Sequence, residues 1–154
     1  MRRLASPAEL AGLVGQELGV GRWQQVDQAR VEAFAAVTGD HQWIHVDAGR
    51  AATGPYGGTL AHGMLTLALV PPMIAEVVDV GGCLLTVNRE ICRARFLSPV
   101  RAGDRVRGRV TLAASRPRAR DYQEARYAVT VETEGNAEPA LRAEAILLYR
   151  SVAD

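Results

Sequence analysis

The spacing of apolar and polar positions changes along the chain, and the change divides it into two kinds of structure. In the C-terminal half the alternation is one for one. Val106, Gly108, Val110 and Leu112 alternate with Arg107, Arg109 and Thr111; Tyr127, Val129 and Val131 with Arg126, Thr130 and Glu132; Leu141, Ala143, Ala145 and Leu147 with Arg142 and Glu144. A period of two is the mark of a half-buried strand. With the segment Cys83 to Phe96, these stretches predict four consecutive antiparallel strands, separated by turn signals at 98–104, 115–121 and 134–139. Upstream, His62 to Val78 is apolar on every side until Glu76. A helix with that pattern has to be buried all round, and in a small domain a sheet wrapped about it achieves this. Pro71 and Pro72 remove amide donors and are expected to kink or divide the helix.

The remaining elements are shorter. Ser6 and Pro7 predict a short helix over 6–14, and residues 19–26 a strand. Asp27 is a good N-cap for a helix ending at Gly39, with Val31, Phe34, Ala35 and Val37 on its apolar side. Residues 40–60 predict a long loop with one short helix near 49–53, and long loops in compact domains tend to carry function. No repeat or linker breaks the chain. The reading is one α+β domain over 1–154, an antiparallel sheet curled round a long central apolar helix.

Composition narrows the function. All 18 cations are arginine, set against 17 acids, for a net charge of +1. A near-neutral total argues against a general polyanion binder, and the absence of lysine excludes Schiff-base and Walker-type lysine chemistry. Its distribution is uneven: residues 89–120 hold 10 arginines against Glu90 and Asp104, a balance of +8 that predicts a basic face. These arginines lack interleaved aromatics, so a nucleic-acid module is not the expectation. Cys83 and Cys92 form no redox or zinc pattern with the three histidines, and no metal is expected. No stretch resembles a signal peptide or a membrane span, which gives a cytoplasmic expectation.

Two polar clusters stand out. In Thr-Gly-Asp-His-Gln-Trp-Ile-His-Val-Asp (38–47), Asp40 and His45 could hold one water and share its proton, although an Asp and a His in a loop also serve as plain turn residues. In Gly-Gly-Thr-Leu-Ala-His-Gly-Met-Leu (57–65), Gly63 begins the buried helix, where free N–H groups converge and a ligand oxygen can approach the backbone. Tight packing of the chain would also explain that glycine.

Together, residues 34–47 and the later Gly-Pro-Tyr-Gly-Gly-Thr-Leu-Ala-His-Gly-Met-Leu-Thr-Leu-Ala-Leu-Val-Pro resemble the hydratase signature of the MaoC-like dehydratases, the (R)-specific enoyl-CoA hydratases of the hot-dog superfamily. The resemblance continues through Val87 to Gly108 and the closing strands, so it covers nearly the whole chain. It implies a hot-dog fold and reversible addition of water to a trans-2-enoyl thioester. Asp40 and His45 take the place of the catalytic dyad, and Gly63 supplies the amide that polarises the thioester carbonyl. His62, Asn88, Arg89 and Arg93 are assigned to substrate binding, and some of Arg89, Arg93, Arg95 and Arg105 to the carrier's phosphates or acidic surface. The substrate is an acyl-CoA or acyl carrier protein thioester, with no separate cofactor, and the assembly a homodimer. Two departures stand out: Asn88-Arg89-Glu90 replaces an Asn-Tyr-Gly, and Pro71 stands where some relatives have a serine. An acyl-thioesterase or a non-catalytic acyl-CoA-binding subunit on the same fold are the other readings.

Overall fold

The computed structural model describes residues 1–152. In chain order the strands are β1 (Arg2–Leu4), β2 (Glu17–Val20), β3 (Gln24–Gln25), β4 (Val78–Val80), β5 (Cys83–Phe96), β6 (Arg105–Arg118), β7 (Tyr122–Thr133) and β8 (Leu141–Ser151). The α-helices are α1 (Gln28–Thr38), α2 (Trp43–Val46), α3 (Ala48–Ala52), α4 (Gly63–Ala68) and α5 (Val70–Val77), and Pro7–Leu13 forms a 3-10 helix. The main sheet runs β2-β6-β7-β8-β5, with β3 also paired to β6. Its strand pairs are all antiparallel, as the alternation predicts. No helix among the described residues is long and apolar enough to cross a membrane.

One face of the sheet makes the core. Val106, Val110, Leu112, Tyr127, Val129, Leu141 and Tyr149 point inward and pack against Val70, Met73, Ile74 and Val77 of α5. Gly108 is what lets α5 approach so closely, since a Cβ there would lie 2.7 Å from the Cβ of Met73. Two tyrosines in this apolar layer satisfy each other's hydroxyls, Tyr127 to Tyr149 at 2.7 Å. An antiparallel sheet packed around helical segments is the hot-dog arrangement.

Several expectations change. The central helix is not one long rod. It is divided at Leu69 into α4 of six residues and α5 of eight. Pro71 and Pro72 have no N–H to give the carbonyls of Leu67 and Ala68, so the hydrogen-bond ladder lapses there. Nor is it buried on all sides, since Met64 is 59 % exposed. On α1 the side chain of Val37 faces solvent, and Val31 and Ala35 do the burying. The strand expected over 19–26 is two short pieces, and the helix over 6–14 is a 3-10 segment. The turn expected over 115–121 is mostly strand: β6 and β7 pair as far as Arg118 with Tyr122, and Arg120 and Asp121, both at positive φ, make the tight reversal. The parallel pairing of β1 with β4 had no sequence signal.

β5 is one of the two edge strands of the main sheet, at the end opposite β2. It is largely exposed, including Leu84, Leu85, Val87, Ile91 and Phe96. Bulges interrupt its pairing with β8 near Arg89 and between Cys92 and Arg95, and Arg93 takes a positive φ of 51° within the second.

Candidate active site

α1 delivers the first of the expected site residues. The Asp27 carboxylate accepts the Arg30 N–H at 2.8 Å and starts the helix. Gly39, at φ 78°, ends it and donates its N–H to the Ala35 carbonyl at 2.8 Å. The left-handed turn frees Asp40 immediately afterwards, with its side chain exposed. His45 lies on α2, the one-turn helix at 43–46 that the sequence left as loop, and it is buried. His62 caps the start of α4 and is also buried. The structure brings the three together: one ligand-type atom from each of Asp40, His45 and His62 lies within 4.8 Å of the other two.

The hydrogen bonds fix the imidazole tautomers. Nδ1 of His45 lies 2.7 Å from the Leu60 carbonyl oxygen. A carbonyl only accepts, so Nδ1 carries the hydrogen and Nε2 keeps the lone pair in the neutral ring. Nε2 of His62 donates to the Asp40 carbonyl at 2.9 Å, which leaves its Nδ1 a buried acceptor with no partner. The two rings stack, with centroids 3.7 Å apart and planes 23° from parallel. Phe34 closes on His62 from another direction, at 5.1 Å between centroids. His62 therefore braces both the His45 ring and the Asp40 backbone. In-plane lone pairs of stacked rings run side by side and do not converge. The trio thus suits a bridging water better than a tetrahedral cation, for which its spacing alone would qualify.

His45 and Gly63 open on a cleft of about 360 Å³, whose walls include Tyr56, Leu60, Thr66 and Phe96. Gly63 is the first residue of α4, so its N–H has no partner within the helix. Phe96, from the end of β5, packs on it. A Cβ at position 63 would come within 3.1–3.3 Å of three ring atoms. Thr66, one turn on, is buried with its side chain on the same wall.

The other expected site residues lie elsewhere. Neither Asp40 nor His62 lines the cleft; both stand behind His45, in the cluster with it. Asn88 faces a separate cleft of about 650 Å³ between β5 and α5, walled by Pro71, Pro72 and Tyr149. Arg89 and Arg93 lie on the outer face of the sheet, bonded to Glu124 and Glu144 respectively. Most of the basic window is similarly engaged. Glu124 also receives Arg116 at 2.6 Å and Arg118 at 2.7 Å, and Glu132 receives Arg107 at 2.7 Å and Arg109 at 2.8 Å. Burial works to raise both carboxyls, but the arginine hydrogen bonds overcome it and hold them below their ordinary value. Sequence reasoning missed Phe96, Tyr56 and Thr66. Thr66 alone carried a signal, since it stands three residues after Gly63 on one helix face.

Residues 9–135 match the MaoC like domain family. Among curated proteins, the chain is 43% identical over 149 residues to 3-hydroxyacyl-thioester dehydratase Z of Mycobacterium tuberculosis, covering 97% of this chain and 99% of that one. It is 44% identical over 145 residues to nodulation protein N of Rhizobium meliloti, covering 93% and 90%. Among solved structures, the unliganded R-hydratase PhaJ1 from Pseudomonas aeruginosa superposes with a TM-score of 0.77 at 28% identity, covering 97% of this chain and 88% of that one. The chain belongs to the MaoC-like dehydratases. It is a hydro-lyase on the hot-dog fold.

Proposed function

We propose that this protein adds water to trans-2-enoyl thioesters to give (R)-3-hydroxyacyl thioesters, and catalyses the reverse dehydration. One observation carries the reading. The Leu60 carbonyl pins the proton of His45 on Nδ1 and leaves Nε2 as the base, with Asp40 in the same cluster within 4.8 Å and Gly63 lining the same cleft as His45. A water between Asp40 and His45 gives its oxygen to C3 of the substrate and one proton to Nε2 as the C–O bond forms. The double-bond electrons move toward the thioester carbonyl, whose oxygen accepts the Gly63 N–H. The proton held on His45 Nε2 passes to the Asp40 carboxylate and from there to C2 of the enolate, so one OH and one H are added and both side chains return to their starting states. His62 positions the dyad without touching substrate. The names of the relatives support acyl thioesters as the substrate class.

The fold supports pairing of two copies through β5. It is an open sheet edge with exposed apolar side chains, and a second copy would satisfy both.

The test is turnover of a trans-2-enoyl-CoA, followed by loss of the conjugated enoyl absorbance together with free thiol. Enoyl loss without thiol is the expected result. Thiol release alone would identify a thioesterase, and CoA binding without turnover an acyl-binding subunit. Asp40→Asn and His45→Gln should each lower kcat by about 10²- to 10⁴-fold, with an unchanged melting temperature.

A further inference from the structure

The outer face of the sheet is a lattice of arginines and glutamates, and its pairing is nearly complete. Arg89, Arg116 and Arg118 share Glu124; Arg93 and Arg126 share Glu144; Arg107 and Arg109 share Glu132; Arg105 takes Glu134. Two arginines on this face, Arg95 and Arg142, adjoin each other and have no acidic partner among the described residues. They stand directly opposite in the β5–β8 register, and both are exposed. Like charges directly opposite on one sheet face destabilise the pairing. The nearby glutamates, Glu132 and Glu144, are each occupied by two other arginines, so nothing within the described chain relieves this pair. Two adjacent, exposed guanidinium groups on one sheet face suit a phosphate, which they can bind with paired N–H donors.

The position of the pair relates it to the cleft. Arg95 immediately precedes Phe96, and side chains alternate along a strand. Phe96 points inward to cover Gly63 while Arg95 points outward. The chain from Phe96 to Val100 continues as the cleft wall. Arg142 in turn lines a groove of about 560 Å³ with Trp23, Asn136, Pro139 and the Arg107–Glu132 pair. Ser98 of the cleft wall donates to the Pro139 carbonyl at 3.1 Å, so the cleft wall and the groove wall touch.

We infer that Arg95 and Arg142 bind a phosphate of the pantetheine-bearing carrier whose acyl end occupies the His45 cleft. The inference rests on the thioester reading above and goes further, singling out Arg95 from the window of ten and pairing it with Arg142 beyond that window. Coenzyme A and a carrier protein's phosphopantetheine share this phosphate chemistry.

The experiment compares the parent protein with Arg95→Ala/Arg142→Ala on trans-2-enoyl thioesters of CoA, phosphopantetheine, a carrier protein and N-acetylcysteamine, which has no phosphate. For CoA we expect a KM at least about tenfold higher, a nearly unchanged kcat and a weaker dependence of KM on salt. The N-acetylcysteamine thioester should be turned over equally by both proteins. A KM effect shared by the CoA and phosphopantetheine thioesters assigns the pair to the phosphate next to pantetheine. An effect with CoA alone assigns it to the nucleotide phosphates, and one with the carrier protein alone to an acidic protein surface, which overturns the inference. An unchanged CoA KM, or equal damage to the N-acetylcysteamine reaction, also overturns it. CoA binding by calorimetry is measured in parallel. If no thioester is turned over, the reaction assignment fails, and loss of CoA affinity in the double variant still decides the phosphate site.

Discussion

In the proposed reaction His45 is the base because the Leu60 carbonyl holds its proton on Nδ1, and that carbonyl is placed by the backbone rather than by any side chain. The neighbouring glycine is constrained as tightly. Position 63 has to leave its N–H accessible while Phe96 lies against its α-carbon, and a methyl group would come within 3.1 Å of the ring. Gly63→Ala should therefore push Phe96, which is half exposed, into the space the proposed substrate would occupy. The expected result is a kcat/KM lower by about 10- to 100-fold with a melting temperature within a few degrees of the parent, because the barrier depends on the reacting geometry more than the fold does. Combining it with Phe96→Leu should restore part of the loss. Equal damage in the single and double variants would mean that the methyl acts on the amide directly.

At the scale of elements, the approach of α5 to the sheet depends on Gly108. An alanine there would place its Cβ 2.7 Å from Met73 Cβ and 3.0 Å from Sδ. Gly108→Ala should cost about 1–3 kcal/mol by denaturant unfolding, the usual cost of overpacking, and Met73→Ala in the same chain should recover some of it. On the opposite face, Glu124 holds three arginines. Its carboxyl lies below the ordinary 4.5 in the folded protein, so its contribution is complete above about that pH and fades as pH falls through the lower folded value. Glu124→Gln should lose about 1–2 kcal/mol at neutral pH, a figure kept small by the exposure of the arginines. Its acid unfolding curve should be flatter below pH 4.5 than the parent's.

These elements also mark how far sequence reasoning reached. The four long strands were legible because one buried face imposes a period of two, and the Asp27 to Gly39 helix because its caps are local chemistry. The division at Leu69 was legible from Pro71 and Pro72, but the exposure of Met64 was not, since it depends on what the sheet leaves uncovered. Asp40, His45 and Gly63 were singled out through motif resemblance. The contact of Phe96 with Gly63 spans 33 residues and follows from strand register. The engagement of Arg89 and Arg93 by glutamates likewise needed the register of β5 against β8, which shifts three times along the strand.

For the whole molecule, the near-zero net charge conceals an outer face where most arginines are internally neutralised and one adjacent pair is not. The same sheet presents its open edge at β5. Val87→Asp would put a charge in the middle of that edge. It should convert a dimer, seen by analytical ultracentrifugation, to a monomer while the far-ultraviolet circular dichroism stays the same. A parent that sediments as a monomer at all concentrations would refute pairing through β5.

The strand order of the sheet also sets a sequence of events in time. β6, β7 and β8 are joined by short reversals and can zip up from local contacts. β5 must wait for β8, which follows it only after two further strands, and contacts between distant segments form slowly. The strand that brings Phe96 to Gly63 and Arg95 to Arg142 should thus be the last of the four to find its place, its amides the last to gain protection in pulsed hydrogen exchange during refolding. A newly made chain would then complete its candidate cleft at the end of folding, and until then the flank of β8 would lie bare to any strand that reached it first.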